Sequence, residues 1–246
     1  TEGDYPGDRR RNSSIMISVC MATYNGAAFI DAQLESILMQ LDAEDEVIVV
    51  DDGSTDETIA RINQHNDSRI SLIENATNRG PVGSFMVAMT HAKGDYLFLA
   101  DQDDVWHLDK VKKVRAAFED QDAMVVVHDA IVTNQKLETI DSSWNHYNHS
   151  EPNQSLLRTL LKNGYTGAMM AFRRELLALI LPFPAKLPMH DWWIALIALK
   201  HREKIVILPD RLMDYRRHTG SVTGKRRNLG AVITDRVRML QMLHGR

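Results

Sequence analysis

The chain is short of several things, and each shortage excludes a class. One cysteine, Cys20, stands among 246 residues, so an intrachain disulfide or a multi-cysteine metal site is ruled out. Cys20 sits in an apolar stretch, residues 15–21, and is expected to be a buried, inert thiol in a reducing, cytoplasmic setting. No apolar run approaches the roughly 20 residues a membrane-spanning helix needs. Residues 1–14 are polar, carry Arg9-Arg10-Arg11 and lack the apolar core of a secretory leader; they are expected to form a tail outside the fold. Thirteen glycines and seven prolines are too scattered to make a low-complexity tract, and no internal repeat is visible.

The remainder is that of an ordinary globular protein. Apolar residues make 44% and charged residues 25%, and this length buries one substantial core. The charge is unevenly placed. Residues 200–246 hold twelve Lys and Arg against four Asp and Glu, net +8, which leaves −12 for the rest of a chain whose total is −4. A basic C-terminal region suits a polyanion such as a diphosphate or an anionic membrane surface, and it also suits a merely solvated face.

Apolar runs and breakers alternate regularly at first. Strands are expected at residues 15–21, 47–50, 70–74 and 96–100. Helices are expected at 29–41, 57–64 and 82–92, with turn residues between them. That cadence predicts a mainly parallel sheet with crossover helices. After residue 104 it changes: a helix over 108–119, a strand over 123–128, a polar stretch over 134–154 with interspersed aromatics, and a short helix over 156–161. The polar stretch has the composition of a binding loop or lid. Further on come a strand near Thr166–Met170, an apolar helix from Trp192, a strand over 205–208 and a terminal amphipathic helix. That last helix presents Leu229, Val232, Ile233, Val237, Leu240 and Leu243.

Two acidic clusters close predicted strands: Asp51-Asp52-Gly-Ser-Thr-Asp56 and Asp101-Gln-Asp103-Asp104. Carboxylates at the carboxyl ends of neighbouring strands converge where open α/β sheets bind ligands. Close carboxylates repel one another unless a cation is present. A hard divalent ion with phosphate oxygens in its shell resolves that repulsion.

The motif order resembles family 2 glycosyltransferases. The matching segments are Ser18-Val-Cys-Met-Ala-Thr-Tyr-Asn25, Val50-Asp-Asp-Gly-Ser-Thr-Asp56, Asn78-Arg-Gly80, Gly94-Asp-Tyr-Leu-Phe-Leu-Ala-Asp-Gln-Asp-Asp104 and His190-Asp-Trp-Trp193. With Tyr215-Arg-Arg-His218 they look most like bacterial rhamnosyltransferases of surface polysaccharide synthesis. The resemblance implies a GT-A, Rossmann-like α/β fold over residues 15–227, with a nucleotide-binding half (15–104), a small acceptor-side half (105–227) and a basic helix over 228–246. It also implies inverting transfer of a sugar from a dTDP- or UDP-linked donor, with Mg²⁺ or Mn²⁺. The acceptor is then a saccharide or a lipid-linked saccharide.

By the same resemblance Thr23, Tyr24 and Asn25 lie beside the nucleoside. Tyr24 either stacks on the base or fills a loop. Asp52 accepts a hydrogen bond from a uracil-like base edge, while Asp51 serves the turn and Ser54 and Asp56 cap the following helix. Asp101 approaches the ribose or the metal's waters, Asp103 ligates the metal, and Asp104 either reaches the donor sugar or caps a helix. Arg79 contacts the donor or is solvated. His218 adds a metal ligand, and Arg217 or Lys225 neutralises the leaving diphosphate. Asp191 is the general base on the acceptor hydroxyl. Trp192 and Trp193 offer a flat face to a sugar, or one of them is core. His190 is a helper to Asp191, an acceptor contact, or structure. Gly220 and Gly224 would make the basic loop mobile enough to close as a lid.

Other readings are weaker on the residues. Asp101-x-Asp103 superficially matches the nucleophile motif of haloacid-dehalogenase-type phosphotransferases, but that motif belongs on a first strand. A silent sugar-nucleotide-binding module would not need Asp191. A nucleotidyltransferase needs a glycine-rich loop that Tyr24-Asn-Gly-Ala does not supply. Nothing points to nucleic acid. The C-terminal helix suits contact with the inner membrane face or an oligomer.

Overall fold

The computed structural model describes residues 15–218 and 229–245. Expectations for residues 1–14, Gly220, Gly224 and Lys225 lie outside those residues. Strand and helix alternate first, through β1 (Ile17–Thr23), α1 (Ile30–Leu38), β2 (Glu46–Asp51), α2 (Thr58–Gln64), β3 (Ile70–Glu74), α3 (Gly80–His91) and β4 (Tyr96–Asp101). Next come β5 (Val105–Trp106), α4 (Lys110–Gln121), β6 (Val125–Thr133), β7 (Thr139–Asp141), α5 (Trp144–Tyr147) and α6 (Leu156–Leu161). The described chain ends with β8 (Met170–Arg173), α7 (Leu177–Ile180), α8 (His190–Lys200), β9 (Ile205–Arg216) and α9 (Leu229–His244). A 3-10 turn at Gly167–Met169 leads into β8.

The described strands form one sheet in the order β3-β2-β1-β4-β8-β6-β9-β5, with β7 beside β6. β3, β2, β1 and β4 are parallel, as the cadence requires. Beyond β4 the sheet is mixed. β8 runs antiparallel to both β4 and β6, whereas β6 and β9 are parallel. The connections there are not single crossover helices, so strand direction is no longer constrained.

Period-two alternation sorts the core into two layers. Val19, Met21, Val47, Val49, Phe98 and Ala100 face one side, under Ile30, Leu34 and Ile37 of α1 and Val111, Val114 and Phe118 of α4. Cys20, Ile48, Val50, Leu97 and Leu99 face the other, under Phe85 and Met89 of α3 and nearly all of α8. Both faces are covered, which explains why these strands read as continuous apolar runs. Cys20 is fully buried and burial pushes its thiol pKa far up, so it is inert as expected.

Two expectations need correction. Residues 134–154 are not an open loop. β7 pairs with β6, and Trp144 at the start of α5 is buried with its indole N–H donating to Thr166 Oγ1 at 2.9 Å. Ser143 ties the same segment to β6 by donating to Asp129 Oδ2. The terminal helix is amphipathic on a different face from the one expected. Asp235, Met239 and Leu243, at i, i+4 and i+8, turn inward, while Ile233, Val237 and Leu240 stand exposed. The reason is that α9 packs against α6 and α8, and only one narrow stripe of a helix can meet two neighbours.

Candidate functional site

The carboxyl ends of β1, β2 and β4 lie side by side, at the point where strand order reverses between β1 and β4. Thr23, Asp51 and Asp101 therefore meet at one crevice, as open α/β sheets require.

On the β2 side the acids are already occupied. Asp51 is fully buried and accepts from Thr23 Oγ1 (3.1 Å), Ser54 Oγ (2.5 Å), Gly53 N (3.0 Å) and Ser54 N (2.8 Å). Asp52 accepts from Asn75 Nδ2, Arg79 N and Gly80 N, each at 2.8 Å. It thereby ties down the Asn78-Arg79-Gly80 turn, where Gly80 takes φ +68°, a conformation glycine adopts without strain. Asn25 (φ +49°) accepts from Thr55 N and donates its own N–H to Ser54 Oγ. The helix-cap expectation holds for Asp56 and is corrected for Ser54. Glu57 is the first residue before α2 and makes no side-chain cap; Ser54 bonds to Asp51 and Asn25. Asp56 accepts from Thr58 N one position early, and from Ala27 N. What stays open on this side is Tyr24, 49% exposed, its N–H and C=O both bonded to the Gln102 amide (2.8 and 3.1 Å). Arg79 is also exposed.

On the β4 side the acids are only partly occupied. Ligand atoms of Asp101, Asp103 and Asp104 all lie within 4.8 Å of one another. Asp104 is 1% exposed; one oxygen accepts from Arg216 N at 3.0 Å, and Oδ2 is buried with no partner. Asp104 therefore links β4 to β9 and caps nothing, since Asp109 precedes α4. Burial, with Asp103 and Asp191 nearby, raises the Asp101 pKa to about 7. Burial, with Asp103 and Asp101 nearby, raises that of Asp104 well above the usual range. Such a cluster with an orphaned oxygen suits a hard cation.

β9 supplies the basic partners. His218 Nε2 lies 2.7 Å from Asp103 Oδ2, with its ring against Phe29. Arg216 is buried; its Nη1 donates to Gln135 O while Nε and Nη2 have no partner. Residues two apart in an extended chain share a face, so Arg216 and His218 reach the cluster together. The intervening Arg217 donates its N–H to Thr133 O in the adjacent strand. Arg217 or Lys225 was expected at the anion; Arg216 joins them, its N–H on Asp104 and its guanidinium facing the charges of Asp103 and Asp104.

Asp191 occupies the first turn of α8 and is 4% exposed. It accepts from Asn163 Nδ2 (3.2 Å), Trp192 N and Gly167 N (3.1 Å). Burial outweighs these bonds and lifts its pKa to about 6, the range of a working general base. Of the alternatives expected for its neighbours, their packing fits the structural ones. Trp192 and Trp193 are buried, their indole N–H groups donating to Thr159 O (2.7 Å) and Ile180 O (3.1 Å). His190 is 4% exposed, stacked on Phe85 at 4.2 Å between centroids, and burial lowers its pKa to about 3. The helix begins at His190, so the whole motif except Asp191 turns into the core behind it.

Three residues that pattern reading passed over belong to the site: Arg216, Asn163 and Lys110. Arg216 was legible from its two-residue offset to His218. Lys110 falls four before Val114 on the apolar stripe of α4, a charge where a hydrophobe is due.

Comparison with known proteins agrees with this geometry. A sequence model described as Glycosyl transferase family 2 matches residues 18–181. A stretch covering 39% of the chain is 34% identical to the Escherichia coli protein named UDP-Glc:alpha-D-GlcNAc-diphosphoundecaprenol beta-1,3-glucosyltransferase WfgD, over 38% of that protein. A stretch covering 37% is 33% identical to dTDP-rhamnosyl transferase RfbG of Shigella flexneri, over 34% of it. Residues 1–349 of S. aureus TarS, solved in complex with UDP-GlcNAc, superpose with a TM-score of 0.73 at 22% identity, covering 92% of this chain and 66% of that one. The fold is thus the GT-A fold that the motif order implied. The alignments span 65% or less of the curated relatives' own lengths.

Proposed function

We propose that this chain, which belongs to glycosyl transferase family 2, acts on nucleotide sugars and moves rhamnose from dTDP-rhamnose, with inversion, to a saccharide or lipid-linked acceptor of surface polysaccharide synthesis. The observation that carries the catalytic part is the opposition of two kinds of acid: a close cluster at Asp101, Asp103 and Asp104 with Asp104 Oδ2 buried and without a partner, and a single buried, hydrogen-bonded Asp191 with a raised pKa. The rhamnose assignment is supported by RfbG; UDP-glucose is the second reading, supported by WfgD.

Asp103, Asp104 and His218 would hold Mg²⁺ or Mn²⁺, with Asp101 toward its waters or the ribose. The ion supplies Lewis-acid stabilisation of the leaving diphosphate. Arg216, with two unpartnered nitrogens, adds positive charge beside it. Arg79 and Arg217 line the approach. Asp52 retains one lone-pair direction on Oδ2 for the base N3–H, and Thr23 and Asn25 shape the floor beneath Tyr24. Asp191 takes the acceptor hydroxyl proton. The acceptor oxygen forms its bond to the anomeric carbon as the bond from that carbon to the diphosphate oxygen breaks, and the nucleoside diphosphate departs with the electron pair.

A phosphotransferase reading gains nothing here, because the Asp-x-Asp element lies on the fourth strand. For a lipid-linked acceptor, Leu157 and Leu161 on α6 and Ile233, Val237 and Leu240 on α9 are exposed beside Arg158 and Arg238, a composition that suits peripheral contact with an anionic membrane. No helix of the described residues is long and apolar enough to cross a membrane.

The test is a panel of dTDP-rhamnose, UDP-glucose and UDP-N-acetylglucosamine, each with and without Mn²⁺ or Mg²⁺, read by nucleoside diphosphate release and sugar transfer. Metal-dependent transfer from dTDP-rhamnose is expected, and Asp191→Asn should keep donor binding while losing about 10²–10⁴-fold in rate. Transfer from UDP-glucose alone would move the donor to the second reading. Inorganic phosphate release without sugar transfer would overturn the mechanism.

A further inference from the structure

Lys110 is the first residue of α4 and is 1% exposed. An ammonium buried this deeply is costly unless it is held by acceptors. Its Nζ donates to Ala168 O at 2.9 Å, lies 3.6 Å from Met213 Sδ, and sits 4.0 Å from the centroid of the Trp106 ring. Each contact leads to the site. Ala168 is the middle residue of the 3-10 turn Gly167–Met169, and the first N–H of that turn donates to Asp191 Oδ2. A Cβ on Gly167 would stand 2.8 Å from His190 Nε2, so the turn is pressed directly onto the start of α8. Met213 lies on β9, three residues before the Arg216 N–H that holds Asp104. One cation therefore touches the strand that fixes the acidic cluster and the turn that fixes Asp191.

We propose that Lys110 is a positioning residue: by bonding the Gly167–Met169 turn to the start of α4, it fixes Asp191 relative to the donor-side carboxylates. This rests on the reading of Asp191 as the general base. Lys110 touches no substrate in this scheme. It acts through distance, and misplacement of a reacting group by about 1 Å costs on the order of 10²-fold in rate.

The experiment uses the full chain with Lys110→Met, which keeps the aliphatic stem, and Lys110→Gln, which keeps a donor of shorter reach. Two readouts are taken. The first is the Gly167 amide signal in ¹⁵N-labelled protein, expected to shift and to exchange at least tenfold faster in Lys110→Met. The second is steady-state transfer, where kcat should fall about 10- to 100-fold while KM for the sugar nucleotide stays within twofold, with part of kcat regained in Lys110→Gln. If Lys110→Met does not fold, Lys110→Gln carries both readouts against wild type. An unmoved Gly167 signal, or an unchanged kcat in active enzyme, overturns the proposal. So does a loss of kcat that only follows the folded fraction. A wild type that transfers no sugar while the Gly167 signal still moves would sink the transferase reading and leave the pin standing.

Discussion

The loops after β2 and β4 are alike in sequence and opposite in state. Each places acids where a parallel strand ends, yet Asp51 is saturated by donors from its own half of the molecule, Asp52 keeps one lone pair on Oδ2, and the cluster after β4 keeps a buried oxygen with no partner. The cause is the supply of N–H groups. After β2 the chain turns through Gly53 and Ser54 and faces the start of α3, so four backbone amides point at two carboxylates. After β4 the described donor to Asp104 is the one amide of Arg216. A carboxylate supplied with amides is a structural element. A group of carboxylates without them repels itself and favours a cation. The lesson is that acid content does not mark a metal site; the donor count around the acids does.

The comparison breaks most visibly if the two sides are exchanged in experiment. Asp103→Ala should reduce transfer by about 10²–10³-fold and weaken Mn²⁺ binding in calorimetry, while the thermal midpoint holds or rises because a like charge has gone. Asp51→Ala should do the reverse. Four donors lose a buried acceptor, so stability should fall by about 2–4 kcal/mol. In a chain of this size that lowers the midpoint by roughly 2–4 °C per kcal/mol, with metal titration unchanged. A destabilised Asp103→Ala with intact metal binding would erase the distinction.

Asp191 stands between the two states and sharpens the comparison. Three donors surround it, as around Asp52, yet burial still lifts its pKa to about 6. The ionised form is the base, so activity is present above that value and lost as pH falls through it. The log of kcat should therefore fall by about one per pH unit below roughly pH 6. The same raised pKa means the folded state holds its proton to higher pH than the unfolded chain. Its contribution to stability is therefore fully present below the unfolded value and is lost as pH rises through about 6. Opposite slopes of rate and stability are expected over that window, with Asp191→Asn removing the Asp191 share of the stability slope and leaving that of Asp101, raised to about 7. A flat acid limb would remove Asp191 from the proton transfer.

Much of this was legible beforehand, for reasons that are local. Continuous apolar runs and turn residues placed β1 to β4 within two residues of their ends, and with them the crevice and both clusters. What was not legible depends on partners far away in sequence. The donors to Asp52 come from Asn75, Arg79 and Gly80, and no local pattern marks them. Trp192 and Trp193 look like a sugar platform until Thr159 O and Ile180 O are found to take their N–H groups. The polar stretch over 134–154 conceals a strand because its pairing with β6 is set by register, not by apolar content. Lys110 was visible as an anomaly in the α4 stripe, but its meaning required Ala168, 58 residues on.

If the β2 side offers a base edge only the one lone pair on Asp52 Oδ2, the rest of its grip on a nucleotide must come from elsewhere, and Tyr24 is the candidate. Its ring is half exposed at the rim while its backbone is bonded at both polar atoms to Gln102, so the ring is presented by a fixed main chain. A base stacked on such a ring gains about 0.5–1.5 kcal/mol, which corresponds to a rise in donor KM of about two- to tenfold in Tyr24→Ala with kcat unchanged. Tyr24→Phe keeps the face and should behave as wild type. The two variants separate stacking from loop filling, because a filler would cost stability in the alanine variant and leave KM alone. An unchanged KM with a lowered midpoint would make Tyr24 purely structural, and recognition of the donor's nucleoside on the β2 side would then fall to Asp52 alone.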